Sequence, residues 1–426
     1  MATVALDAPL AIRAGAMAPA LRRAARRFGT PTHVTDVASL HAAAAALAGA
    51  FPDPWLRQFS VKANDVPALV AIVAACGLGA NVVSRGEWAV ARAAGVPNER
   101  VSLEGIGKTP RDLSAAVGAA RDGRPLAWTS IESTDEALAL AAAATRARLG
   151  RDGRSPLDVL LRLNPDVAPE TAPNLAVGAG GSKFGMDETE LTAVLERLPS
   201  SLRVRGVHVH VGSQLGAVDA WRDAARRAIA LVGLVRPGRD MFDTIDFGGG
   251  FPVAPSGVPA PSPGRFAREV AELLGGAPPE RAPRRLAIEP GRFLVARAGW
   301  LVARVLHVRE RGGRLVVLDA GMTELIRPAL YGAHHDIVAL TSLGRPVDGA
   351  TEMLGAAADV HGPICESTDR FGTYALPPLR RGDLVAIADA GAYGASLAST
   401  YNGRPLARQV LVEPDGTLHV AGRRHA

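Results

Sequence analysis

The sequence predicts an α/β protein, a (β/α)8 barrel over residues 31–284 followed by a β-rich, β-barrel-like domain over 285–426. Strand-like runs alternate with amphipathic helical patterns eight times from residue 31, which is the rhythm of a closed parallel barrel. After Gly250 that rhythm stops and strand-like runs follow one another. The residue types able to do chemistry fall at the ends of the strand runs, where a barrel gathers its loops at one mouth.

The predicted strands are PTHVTD (31–36), RQFSVKAN (57–64), GLGANVVS (77–84), VSLEGIGK (101–108), AWTSIES (127–133), VLLRLNP (159–165), VRGVHVHVG (204–212) and TIDFGGG (244–250). Between them, Val66–Cys76, Gly86–Ala94, Pro110–Arg121, Asp135–Leu149, Glu188–Leu198 and Ala220–Val235 carry the apolar spacing of helices with one packed face. A Pro/Ser/Gly loop is predicted at 252–264 and a helix at Arg265–Leu274. From Arg285, LAIEP, WLVARVLHV, RLVVLDA, DIVAL, DLVAIA, QVLVEP and TLHVA read as strands of the second domain. Residues 1–30 are expected to pack on the barrel or on the β domain.

No apolar stretch approaches the roughly 18 residues of a membrane span, and the Ala-rich run Leu40–Phe51 reads as a packed helix. Cytoplasmic residence is therefore expected, although LRRAARR (21–27) is basic enough to admit a transit peptide as a minor alternative. Two cysteines, Cys76 and Cys365, make no disulfide framework. Cys76 reads as a small hydrophobe in the apolar helix AIVAACG, whereas Cys365 sits between Pro363 and Glu366 in a polar, loop-like setting. The net charge of +6 is spread over helical arginines and forms no stripe interleaved with aromatics, which argues against nucleic acid and for anionic small ligands.

At the strand ends stand Lys62, Ser84, Lys108, Arg162, Asn164, His210, Ser213 and Gly248–Gly250. Lys62 within FSVKAN is either ion-paired and snorkelling or a nucleophile able to form a Schiff base. Three glycines in DFGGGFP mark a tight turn or a backbone nest for a phosphate. His208 and His210 share a strand face in HVHVGSQ; the pair invites zinc, yet no Asp, Glu or Cys stands at ligand spacing nearby, so no metal is expected.

FSVKAN, HVHVGSQ, DFGGGFP, IEPGRFLV, LIRPALYGA, GPICESTD and GAYGASLASTYNGRP occur in the order and at roughly the spacing of the fold-type III pyridoxal-phosphate (PLP) decarboxylases, which this chain resembles over about residues 30–412. The diaminopimelate decarboxylase branch is the nearest likeness, and the ornithine and arginine decarboxylases are further relations. The resemblance implies an alanine racemase-like TIM barrel, the cofactor pyridoxal 5'-phosphate, and a homodimer with shared active sites. It implies that Lys62 holds PLP as an imine, that His210 stacks on the ring, and that Glu289 pairs with the ring nitrogen. Ser213, Gly248, Gly249, Gly250, Gly291, Arg292 and Tyr393 would hold the cofactor phosphate. Arg292, Arg327, Tyr331, Glu366 and Tyr393 would bind substrate, and Cys365, with Glu366, would reach in from the second subunit as proton donor.

A carboxylate at the ring nitrogen keeps it protonated and favours decarboxylation over the racemase chemistry of relatives with arginine there. The substrate implied is meso-diaminopimelate, giving L-lysine and CO2 in lysine biosynthesis; the alternative is lysine, ornithine, arginine, or a carrier-bound, siderophore or antibiotic precursor. A PLP-binding protein without turnover is a weaker rival, since binding requires no proton donor. Three departures from the family pattern bear on substrate: Asn81 stands where Asp is usual, APNLAVG (172–178) replaces a His-containing loop ending in Thr-Gly, and LEGIGKT replaces an Asn-rich segment.

Overall fold

The computed structural model describes residues 8–179, 181–254, 259–310, 312–347 and 355–422. Residues 1–7 of the expected N-terminal segment and 255–258 of the expected loop lie outside that set. By internal contact the chain divides into two units: Ala45–Lys62 with Val73–Gly291, and Met1–Ala44 with Ala63–Ile72 and Arg292–Ala426.

A first strand, β1 (Thr32–Asp36), is followed by β2 (Leu56–Ser60), β3 (Gly79–Val82), β4 (Val101–Leu103), β5 (Trp128–Ile131), β6 (Leu157–Arg162), β7 (Leu202–His208), β8 (Thr244–Asp246) and β9 (Arg285–Ile288). Strands β2 to β9 close an eight-stranded parallel barrel. Most of their residues are buried, as expected when helices cover the outside and side chains fill the inside. Eight strands were expected, but the set differs at both ends. β1 is not in the barrel: it runs antiparallel to Gly299–Val302 and parallel to Arg408–Val412, so its backbone groups are already taken. The eighth strand is β9, assigned from sequence to the second domain, and it pairs in parallel with β8 and β2.

Four consecutive βα loops end in the same local device. Ser84, Thr109, Ser133 and Asp187 each accept a hydrogen bond from the backbone N–H three residues on, at Glu87, Asp112, Glu136 and Glu190. These caps start helices Arg85–Ala93, Pro110–Arg121, Thr134–Arg146 and Glu188–Arg197 by satisfying otherwise orphaned donors. In β7 the pairing with β6 slips by one residue between Val159 and Leu160, and a Cβ at Gly206 would collide with the Thr244 backbone. Glycine there lets β7 and β8 close up.

The other unit holds helix α1 (Leu10–Phe28), β1, and the strands β10 (Gly299–Glu310), β11 (Arg314–Leu318), β12 (Ile337–Ala339), β13 (Thr341–Ser342), β14 (Arg345–Pro346), β15 (Ala356–His361), β16 (Arg370–Leu376), β17 (Leu384–Ile387), β18 (Arg408–Val412) and β19 (Leu418–Val420). Nine of these strands, all but β13 and β14, form one sheet whose main path runs β16-β15-β11-β10-β1-β18-β19. β10 shows why the sheet is covered on both faces: Trp300 and Val302 pack with Leu21, Ala24 and Ala25 of α1, while Leu301, Ala303 and Val305 join Val316, Val360 and Phe371. LRRAARR is thus part of a helix whose Leu21, Ala24 and Ala25 are core. Among the described residues no helix is long and apolar enough to cross a membrane.

Candidate active site

Including β9 in the barrel brings two reactive side chains onto neighbouring strands. β2 and β9 pair at Leu56–Ala287 and Arg57–Ile288, and the Ser60 N–H continues the ladder to the Pro290 carbonyl at 3.0 Å. Lys62 follows β2 in a 3₁₀ turn, Val61–Ala63, so it stands just beyond the strand that sequence alternation had extended to Asn64. Its side chain is exposed at the barrel end. Glu289 follows β9 and is buried.

One layer of the barrel holds Glu289 in place. The Ser60 hydroxyl donates to Asn81 Oδ1 (3.1 Å), and Asn81 Nδ2 donates to Ser102 Oγ (3.3 Å) and to Glu289 Oε1 (2.6 Å). Ser60, Asn81 and Ser102 are paired positions of β2, β3 and β4, so the rung is a product of register. Behind it lie two more buried acids. Glu104 accepts from the Trp128 indole at 3.0 Å and lies 3.3 Å from His208 Nδ1; Asp246 accepts from the Gly248 N–H at 2.8 Å.

Burial pushes the Glu289 carboxyl well above its usual range, and the Glu104 and Asp246 charges push it further. Asp246 rises for the same reasons, burial and then Glu104. Burial also acts on Glu104, but His208, hydrogen bonds to Glu289 and Trp128, and the Arg162 charge outweigh it and hold that carboxyl below the ordinary range. The cluster therefore keeps one charge on Glu104 and protons on its two neighbours, because three carboxylates cannot ionise together in a dry interior. His208 is lowered to about 4, chiefly by burial, and is neutral.

His210 lies just past β7, half-buried, with Nδ1 accepting from the Gly249 N–H at 3.1 Å. Burial, then the charges of Lys62 and Arg162, hold it well below its usual value, so it presents a neutral ring. The triple glycine is a cradle that side chains would fill. A Cβ at Gly248 (φ 68°) would lie 2.5 Å from the Val209 carbonyl and 2.9 Å from His210; at Gly249 it would lie 2.6 Å from the Glu289 carbonyl, and at Gly250 (φ 102°) 2.7 Å from Leu215. Two of the three N–H groups are spent inside the protein, Gly248 on Asp246 and Gly249 on His210. An anion here would be met by the Gly250 N–H and by the space the missing side chains leave. Ser213 is half-buried, and the loop Ala172–Gly178 packs on its segment through Ser213 N–H to Leu175 (3.2 Å) and Val177 N–H to Val211 (2.9 Å). Gly291 directly follows Pro290 on the β9 side.

The other unit groups a second set. The Arg292 guanidinium lies over the Tyr393 ring, 5.0 Å from its centre, and Tyr393 has φ 58°. A left-handed tyrosine costs about 1–3 kcal/mol and is held here by its N–H donating to Ala63 at 2.7 Å. Arg327 begins the short helix Arg327–Tyr331, and Tyr331 is partly exposed. Cys365 and Glu366 are exposed; Asn402 Nδ2 lies 3.6 Å from the thiol, and the Tyr401 hydroxyl donates to Glu366 at 2.6 Å.

Several expected strand-end residues prove structural. Ser84 is a helix cap, Lys108 is ion-paired to Glu136 at 3.0 Å, and Arg162 forms a buried ion pair with Glu132 at 2.6 Å. Asn164 ties down its own loop through the carbonyls of Ala179 and Phe184. Cys76 is half-buried just past its helix and not a core residue; burial pushes its thiol up. The carboxylates absent from the sequence neighbourhood of His208 are supplied by β4 and β9: Glu104, His208 and Glu289 bring one ligand-type atom each within 4.8 Å of one another. Trp128 and Asn81 already hold one oxygen of each acid, and the set reads as a hydrogen-bonded acid cluster. Sequence reasoning passed over Glu104 and Asp246 as catalytic neighbours; their signal was an acid inside an otherwise apolar strand end.

Residues 37–296 match the family described as "Pyridoxal-dependent decarboxylase, pyridoxal binding domain". The chain is 35% identical over 414 residues to a diaminopimelate decarboxylase of Aquifex aeolicus, covering 95% of this chain and 91% of that one. It is 36% identical over 408 residues to the Pseudomonas aeruginosa enzyme of the same name, covering 95% and 92%. The crystal structure of diaminopimelate decarboxylase from Helicobacter pylori complexed with L-lysine superposes with a TM-score of 0.84 at 28% identity, covering 95% of this chain and 96% of that one.

Proposed function

The chain belongs to the pyridoxal-dependent decarboxylases, and from that premise we propose that it converts meso-diaminopimelate into L-lysine and CO2. The observation that carries the reading is Glu289, a buried acid that accepts from Asn81 and follows β9, the strand paired with the one that Lys62 follows.

Bound PLP supplies a sink for the electron pair left when CO2 departs, and it does so best with its ring nitrogen protonated. The residues present fit that group. Glu289, kept protonated by burial and by the Glu104 and Asp246 charges, would pass that proton to the ring nitrogen and, as the carboxylate left beside it, hold the resulting positive charge in place. His210 offers a neutral flat face, and the cradle Gly248–Gly250, with Ser213 and Gly291, leaves room for a phosphate. Lys62 anchors the cofactor through its amine.

Arg292 and Tyr393 complete the phosphate contacts, and Arg292, Arg327 and Tyr331 grip the carboxylate at the substrate's far end through guanidinium and phenol donors. Glu366 takes the far ammonium. Cys365 would give its thiol proton to the carbon that has lost CO2, so a C–C and an S–H bond break, a C–H bond forms, and water reprotonates the thiolate. Exposure of Cys365 and Glu366 suits residues that serve a neighbouring subunit, and the active form is a cytoplasmic homodimer. The packing of Ala172–Gly178 onto the Ser213 segment is the observation favouring a different amino acid.

Assays with meso-diaminopimelate, lysine, ornithine and arginine decide between the two. L-Lysine formed from the first, with the others much slower, is expected; no L-lysine from meso-diaminopimelate overturns the substrate. The Lys62→Ala variant should lack the visible band of the bound cofactor, and a retained band removes Lys62 from the anchoring role.

A further inference from the structure

Arg327 makes a contact that the substrate reading does not explain. Its Nη1 lies 2.8 Å from Nε2 of His335, a side chain 2% exposed. The other ring nitrogen of His335, Nδ1, lies 3.0 Å from the carbonyl oxygen of Ala388. A carbonyl can only accept, so Nδ1 carries the ring proton, and Nε2 presents its lone pair to the guanidinium. The two bonds fix one tautomer and one charge state together: a second proton would leave Nε2 facing a cation with nothing to offer it. Burial and the Arg327 charge agree with this, lowering His335 to about 3.

The choice of histidine has an electrostatic consequence. Burial and the nearby Arg292 charge lower Arg327 to about 10. Asp389, the acid whose charge favours the Arg327 cation, is itself ion-paired with Arg13 at 2.9 Å. A carboxylate in place of His335 would hold the guanidinium equally well but would neutralise it. A neutral acceptor fixes its direction and leaves its charge for an incoming anion.

We propose that His335 is a positioning residue that aims Arg327 at the carboxylate of the substrate's far end without consuming its charge. This rests on the reading of Arg327 as a substrate clamp.

The test uses the full-length, PLP-loaded enzyme, with L-lysine as the probe that keeps the far carboxylate and cadaverine as the probe that lacks it. In His335→Leu, calorimetric L-lysine affinity should fall about tenfold or more, the size of losing a hydrogen bond to a charged group. KM for meso-diaminopimelate should rise in parallel with little change in kcat, and cadaverine binding should hold. His335→Gln, whose amide oxygen can accept from Arg327, should recover most of the affinity. His335→Glu should not, because it restores the acceptor but quenches the charge. Should Leu fail to fold, the comparison of Gln with Glu still decides: equal affinity in those two overturns the charge argument. Unchanged L-lysine affinity in His335→Leu, with Arg327→Ala weakened, overturns the positioning role. If Arg327→Ala also binds L-lysine normally, it is the clamp reading itself that fails.

Discussion

Asn81 and Glu104 change meaning when considered together. Asn81 stands where the family pattern has Asp; the barrel shows a carboxylate just past β4, at Glu104 beside His208, and an amide at 81 that donates to Glu289. An aspartate at 81 could not donate, and it would be a fourth acid in a cluster that already protonates two. Asn81→Asp should therefore lower kcat roughly tenfold, equivalent to ~1.4 kcal/mol of like-charge cost, and Glu104→Gln in the same chain should recover most of it. Steady-state kinetics on the two single variants and the double variant measure that coupling; additive losses would refute it. A second residue-scale prediction concerns His33, 5% exposed and lowered to about 4 by burial, a hydrogen bond to Glu324 opposing. A histidine whose folded value is depressed stabilises the fold above its unfolded value of about 6.5 and loses that contribution as pH falls towards about 4, since the unfolded chain takes the proton first. Urea midpoints at pH 7 and pH 4.5 should drop less in His33→Gln than in the parent, and equal drops would count against it.

At the scale of elements, the sequence carried the helices between the barrel strands to within a few residues and the number of barrel strands, but neither the helix Leu10–Phe28 nor which strands close the barrel. PTHVTD, rich in β-branched residues, and LAIEP, mostly aliphatic, are both short, and such a run reports a strand without reporting which neighbour pairs with it. Pattern alone therefore puts β1 first in the barrel and β9 in the second domain, whereas hydrogen bonding places them the other way round. The position of Lys62 past β2, His210 past β7, Gly248–Gly250 past β8 and Glu289 past β9 does not depend on that choice, because each follows its own strand whichever strand is the neighbour. What stayed hidden was the acid cluster, since Glu104, Asp246 and Glu289 are separated in sequence and meet only through closure of the barrel. The glycine cradle gives this scale its own prediction. Gly248→Ala would have to fit a Cβ against the Val209 carbonyl and His210 at a positive φ. It should lose cofactor binding, read as visible absorbance after gel filtration, while Thr109→Ala on a helix cap costs about 1 kcal/mol of stability and leaves that absorbance intact. A fully coloured Gly248→Ala protein would show the cradle to be only a turn.

For the whole molecule the question is whether one chain holds a complete set of reacting groups. Lys62 and Glu289 belong to the barrel unit, whereas Cys365 lies in the other unit, exposed, with Asn402 as its polar neighbour. A thiol that protonates a carbon must reach that carbon with water kept away, and an exposed position meets that requirement only when something covers it. A second copy of the chain is the covering that the homodimer proposal supplies. It predicts complementation between two inactive variants. On the proposed roles, Lys62→Ala would lack the anchor and Cys365→Ala the proton donor, so in a mixed dimer one site would contain both defects and the other neither. Equal mixing with free subunit exchange yields half mixed dimers with one intact site of two, so about a quarter of the parental activity should return. Native mass spectrometry establishes that mixed dimers have formed, which separates failure to exchange from failure to complement. Mixed dimers no more active than the two variants alone would place Cys365 in its own chain's site or remove it from the chemistry, and Cys365→Ala alone then tells these apart, because only the first leaves kcat lowered.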